Sequence, residues 1–100
     1  MPTKHVMQCM ANVKRYIERN RAIVNDYLKD HPCVDCGNDN PVVLEFDHVR
    51  GEKKRSVAKM VRQGLSVKTL MAEIAKCEVR CANCHRIKTA TQLGWHNAQQ

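Results

Sequence analysis

A small α+β domain, with one short β-hairpin carried among helices, is what this chain of 100 residues predicts. Three observations lead there. Two Cys-x-x-Cys pairs, Cys33 with Cys36 and Cys81 with Cys84, bracket the middle of the chain. A brief apolar run inside that bracket ends in an acid and an imidazole side by side, Leu44-Glu45-Phe46-Asp47-His48. Before the bracket, apolar residues recur at helical spacing. The length accommodates one domain and not two. Phe46, Trp95, Tyr16 and Tyr27 are the only aromatic residues, so a thin core needs a staple. A zinc ion bound by Cys33, Cys36, Cys81 and Cys84 is the simplest one. The expected organisation is a basic amphipathic helix over residues 1–30, a zinc-stapled domain over 31–94 and a tail over 95–100.

In chain order, Val6, Met10, Val13, Ile17, Val24 and Tyr27 form a helical stripe from about Lys4 to Leu28, interrupted by Asn20. Lys14, Arg15, Arg19 and Arg21 occupy its other side, a face that suits either solvent or phosphates. The stripe also suits contact with a second copy, in which Asn20 would set the register. Pro32 ends the helix, since the residue before proline leaves the helical region, and His31 reads as a terminal-turn residue. Cys33-Val34-Asp35-Cys36-Gly37 has the form of a zinc knuckle, with a glycine free to take positive φ. Val42 to Phe46 reads as a strand leading into Asp47-His48. Ser56 is placed to cap a short helix through Arg62, closed by Gly64, and Ser66 to cap another that turns Val67, Leu70, Met71, Ile74 and Cys77 to one side. Glu78-Val79-Arg80 is a second strand, and Cys84 to about Leu93 a closing helix that presents His85, Lys88, Thr89 and Gln92, with Gly94 as its stop. Cys9, Cys77, His5 and His96 are read as bystanders, and Trp95 as packing back on the domain.

The formal net charge is +7, and it is unevenly placed. Residues 31–48 contain four acids and no Lys or Arg, whereas residues 49–65 contain six Lys or Arg against one acid. A basic body around an acidic pocket suits a polyanion held by its backbone while a cation sits at the reacting phosphate. No apolar run is long enough to cross a membrane, and the first residues lack the unbroken apolar stretch of a signal peptide. The expectation is a cytosolic protein, whose paired cysteines serve as metal ligands and not as disulfides.

Between the two knuckles lie residues 37–80, 44 in all, where a simple zinc ribbon uses roughly 15–20. The insert holds a strand ending in Asp-His, two short helices and a returning strand, so that the whole reads as a ββα hairpin closed by zinc. Cys33, Cys36, the run Leu44 to His48, and the run Glu73 to Arg86 with its Cys81-Ala82-Asn83-Cys84-His85 centre together resemble the HNH endonucleases of the ββα-metal fold, in the zinc-knuckle branch common in bacteria and phages. The resemblance covers about residues 22–94. It implies that Asp47 and His85 bind a catalytic divalent ion such as Mg²⁺ or Mn²⁺, that His48 is the general base, that the four cysteines hold structural zinc, and that the protein cuts DNA in the cytoplasm of a bacterial or phage-infected cell. Some relatives carry a further histidine where this chain has Thr89, which implies a two-ligand ion site. Asn83 is the nearest counterpart of the family's middle asparagine, and equally a residue suited to the knuckle turn.

The chemistry holds without the family name. Phosphodiester hydrolysis needs a water deprotonated near neutral pH, a task for imidazole with its ordinary pKa of about 6.5. It also needs a cation on the phosphate oxygens, which carboxylate plus imidazole can hold. Adjacent strand residues point to opposite faces, so Asp47 and His48 serve one phosphate together only if the strand bends there, and Gly51 is the nearest residue that would allow it. Arg50, Lys53, Lys54, Arg55 and Arg86 are the candidate phosphate contacts, each equally at home as a solvated surface residue. The rival reading is a zinc-dependent DNA-binding module without catalysis, which leaves Asp47, His48 and His85 idle. A structural partner in a larger machine is a third.

Overall fold

The computed structural model describes the backbone of residues 4–94, with side chains from Met10 onward. The expectations for the side chains of His5 and Cys9, and for the 95–100 tail with Trp95 and His96, fall outside the described residues. In chain order the elements are helix α1 (Lys4–Lys29), a 3-10 turn (Pro41–Val43), strand β1 (Leu44–His48), helices α2 (Val57–Arg62) and α3 (Val67–Ile74), strand β2 (Cys77–Cys81) and helix α4 (Ala82–Gln92). The architecture is α+β, with one two-stranded antiparallel ribbon in the register Leu44 to Cys81, Phe46 to Val79 and His48 to Cys77.

Most boundaries follow from local chemistry. Ser56 accepts from Lys59 N and Ser66 from Thr69 N, the two N-caps read from the sequence. Several boundaries differ, among them the end of α3 at Ile74, which leaves Cys77, expected on its apolar side, to β2. The strand begins at Leu44 and not at Val42, because Asn40 Oδ1 caps Val42 N at 3.0 Å and Pro41 sets the first position of a 3-10 turn. Strand β2 is longer than Glu78-Val79-Arg80 by one residue at each end, Cys77 and Cys81. Helix α4 starts at Ala82, before Cys84, because Cys81 acts as its N-cap, its sulfur taking the Cys84 N–H at 3.4 Å. A knuckle cysteine therefore does double duty as a helix cap, and Asn83, Cys84 and His85 all lie in the first turn.

The core is two small clusters joined by the end of α1. Leu28, Cys33, Leu44, Val79 and Cys81 form one; Val57, Met60, Val61, Leu70 and Ile74 form the other; Val24, Tyr27 and Phe46 touch both. Each large side chain buried here contributes about 1.5–3 kcal/mol, so few residues carry the domain and a clasp matters. The last turns of α1 belong to this core. Farther toward its start, Met10, Val13 and Tyr16 are exposed. His31 ends the helix as a terminal-turn residue, its Nδ1 2.6 Å from Tyr27 O and its ring stacked on Tyr27. Asn20 is not a register device between copies: it is fully buried, donates Nδ2 to Leu65 O at 3.0 Å and accepts from Arg19. Among the described residues no helix is long and apolar enough to cross a membrane.

Candidate metal sites

The knuckle loop and the end of the ribbon are laced together by backbone. Val34 N donates to Val79 O, Cys33 N to Asn38 O and Gly37 N to Cys33 O, the last closing a turn in which Gly37 has φ +77°. These bonds bring Cys33, Cys36, Cys81 and Cys84 together with all four sulfurs within 4.8 Å of one another. Zinc–sulfur bonds of about 2.3 Å in a tetrahedron place sulfurs about 3.8 Å apart, and Cys36 Sγ lies 3.7 Å from Cys81 Sγ. The four cysteines can hold a zinc ion. Their protonation is in conflict as it stands. Burial pushes the Cys33 thiol up most, yet backbone N–H groups of Cys81, Cys36 and Asp35 outweigh it and bring it down to about 6. Cys84 is pushed up by its neighbour Cys81 and by burial. Cys36 is pulled down by the Asn38 N–H, its largest single influence, but the thiols of Cys33 and Cys81 and some burial leave it raised. A cation among the four would remove the competition, since a coordinated thiol is deprotonated outright.

Strand alternation puts Glu45 and Asp47 on one face of β1 and Leu44, Phe46 and His48 on the other. The first turn of α4 brings His85 over the acidic face, with Nε2 3.6 Å from Asp47 Oδ1 and Nδ1 2.9 Å from Glu45 Oε1. The second oxygen of Asp47 accepts from Arg80 Nη1 at 2.7 Å and Lys88 Nζ at 2.5 Å. Burial pushes the Asp47 carboxyl up, but Lys88 first, then His85 and Arg80, hold it below its usual range. Arg80 is itself buried and also bonds Asp35 at 2.8 Å and Glu78 at 3.2 Å, linking this face to the knuckle loop.

Asp47 and His85 thus come together as expected. One carboxylate oxygen and one imidazole nitrogen, 3.6 Å apart, match the donor types and the span of a single divalent ion. Glu45 is the residue that sequence reading passed over. Its position two before Asp47 on a strand was the available signal. With Nδ1–H donated to Glu45, the His85 ring would be held in the tautomer that leaves Nε2 as a ligand, the usual outer partner of a metal-binding histidine.

His48 is not brought to them. The strand does not bend at Asp47-His48: His48 pairs with Cys77, Val49 and Arg50 both donate to Lys76 O, and the chain bends after them, at Arg50 and Gly51, the latter with φ +71°. The His48 imidazole instead faces Glu73 of α3, Nε2 to Oε2 3.7 Å. The expected phosphate contacts also divide. Arg86 lines a hollow of ≈340 Å³ with Glu45, Ala82, His85 and Thr89. Lys53, Lys54 and Arg55 line another of ≈490 Å³ against Met60, Leu65 and Thr69. Arg50 donates to Ala75 O at 2.6 Å, capping the end of α3, and Arg55 reaches Gln63. Asn83 is exposed in the first turn of α4 and takes no part in the hydrogen bonds that build the site. Cys77 lies apart from the four-cysteine cluster: burial, then the charge of Glu73, pushes its thiol up, and it donates to Glu73 O. Compared with protein-family models, with curated proteins and with solved structures, the chain matches none.

Proposed function

We propose that the protein is a metal-dependent endonuclease of the HNH kind that hydrolyses phosphodiester bonds in DNA. The observation that carries the reading is the meeting of Asp47 Oδ1 and His85 Nε2, 38 residues apart in sequence and 3.6 Å apart in space, on a chain of net charge +7. The structural zinc sits in the four cysteines and keeps β2 and the start of α4 in register with the knuckle loop. Asp47 and His85 hold the second, divalent ion, Mg²⁺ or Mn²⁺, which supplies Lewis-acid neutralisation of the phosphate oxygens when bound. Glu45 orients the His85 ring. Arg80 and Lys88 fix the Asp47 carboxylate by its other oxygen. His48, on the opposite face of β1, takes the proton of the attacking water. Because it lies on the opposite face from Asp47, the reading requires the scissile phosphate to sit at the end of the ribbon and to touch both faces. Arg86 holds the strand beside the ion, and the basic segment with Arg50, Lys53, Lys54 and Arg55 holds the flanking backbone.

The test is incubation of supercoiled plasmid with the zinc-loaded protein and added Mg²⁺ or Mn²⁺. Cleavage that is lost in Asp47→Ala and His85→Ala is the expected result; a wild type that cuts with no divalent ion tried would sink the reading. One observation favours the DNA-binding module instead: Lys88 and Arg80 already neutralise Asp47, so the carboxylate has an explanation without a second ion. Retained DNA binding in a protein that never cleaves is the result that reading requires.

A further inference from the structure

Among the described residues two buried side-chain atoms lack any hydrogen-bond partner, His48 Nε2 and Glu73 Oε2, and they lie 3.7 Å from each other. Leaving either one unsatisfied carries the desolvation penalty of a buried polar group, so a native chain keeps such a pair for a reason. A water does not fit between them, since a bridging water needs about 4.5–5.5 Å between its partners. Glu73 is 2% exposed, and its other oxygen is taken by Lys76 Nζ at 3.1 Å, which also bonds Glu52 O at 2.9 Å. The carboxylate is therefore anchored from one side and presents a single free oxygen to the imidazole. The His48 side chain is 19% exposed, and with Nε2 buried that exposure belongs to the rest of the ring.

We infer that Glu73 is a positioning residue for His48: Oε2 accepts the Nε2–H of the neutral ring and so fixes the tautomer in which Nδ1 carries the free lone pair. The inference rests on the reading of His48 as general base, for which a lone pair turned to the accessible side is the requirement. The contact is long by less than an ångström, as catalytic hydrogen bonds often are before substrate tightens them. No bond to carbon or phosphorus changes at Glu73; the water proton goes to Nδ1, and the Nε2 proton stays where it is.

The experiment is ¹⁵N NMR of the histidine rings in the full-length, zinc-loaded protein, wild type and Glu73→Gln, alongside plasmid cleavage and DNA binding. Glutamine keeps the shape but offers one oxygen to two donors. Lys76 takes that oxygen, and the amide NH₂ turned to His48 demands an unprotonated Nε2. Expected are an Nε2–H tautomer in the wild type, an Nδ1–H tautomer in Glu73→Gln, and cleavage lowered by about 10²–10⁴-fold with zinc content and DNA affinity unchanged, the size of effect of a misplaced tautomer or lost base. A wild type whose His48 is Nδ1–H, or a folded Glu73→Gln with the wild-type tautomer, overturns the positioning role. The wild-type spectrum decides even if the variant does not fold. A flipped tautomer with undiminished cleavage upholds the positioning and overturns His48 as the base instead.

Discussion

The two faces of β1 each set an imidazole against a carboxylate, and they do so in opposite surroundings. On the acidic face His85 is 31% exposed and stands between Glu45 and Asp47, whose second oxygen is shared by Arg80 and Lys88. On the core face His48 is 19% exposed and meets one carboxylate, Glu73, itself buried. An open site with two carboxylates beside an imidazole suits an ion that arrives from solvent with waters still attached. A closed site with one partner suits a ring that must keep one orientation. The same residue pair, placed on two sides of one strand, is thereby given two environments, and the strand's alternation is what separates them.

Breaking the clasp should erase the comparison altogether, because both faces depend on β2 and α4 being held to the knuckle. Cys33→Ser, or removal of zinc by a chelator, is expected to abolish cooperative unfolding, since structural zinc supplies an apparent ~10–16 kcal/mol against a net stability of similar size or less. Calorimetry of the zinc-free protein checks this, and a sharp transition there would count against it. The next effect separates the faces. His48→Ala and His85→Ala should each lower cleavage by about 10²-fold or more, but only His85→Ala, and Asp47→Ala with it, should recover part of the rate as Mn²⁺ is raised. Equal recovery in all three would show that the faces do not divide the work.

Glu45→Gln probes the acidic face more gently. Loss of the outer partner of His85 should weaken the activating ion by about 10–100-fold while leaving the rate at saturating ion near wild type, read from cleavage against ion concentration. A drop in rate that no ion concentration restores would move Glu45 from orientation into the chemistry. Asn20→Ala is the smallest, and it is remote from both faces. Losing a buried hydrogen bond to Leu65 O should lower stability by about 1–3 kcal/mol and leave the rate per folded molecule unchanged; denaturant titration and a cleavage assay together check it.

Much of this was legible in the sequence because the signals are local. Ser56 and Ser66 announce two helices by their caps, Gly37 and the Cys-x-x-Cys spacing announce the knuckle, and the apolar run from Val42 to Phe46 announces a strand, which begins two residues later at Leu44. The pairing of the four cysteines follows from spacing alone, since few other uses exist for two such pairs in one small chain. What one dimension did not give is which face each acid turns to and what covers it. Glu45 and Glu73 look alike as letters, yet one is half-exposed against His85 and the other is 2% exposed against His48. Asn20 reads as a flaw in a helical stripe until Leu65, 45 residues later, offers its carbonyl. The Cys81 sulfur that caps α4 moves the helix start back to Ala82, a choice made by a side chain and not by propensity. Caps, turns and periodicity act over a few residues and are written in composition and spacing. Burial and the partners of buried charge depend on which elements pack together, and only the folded chain decides that.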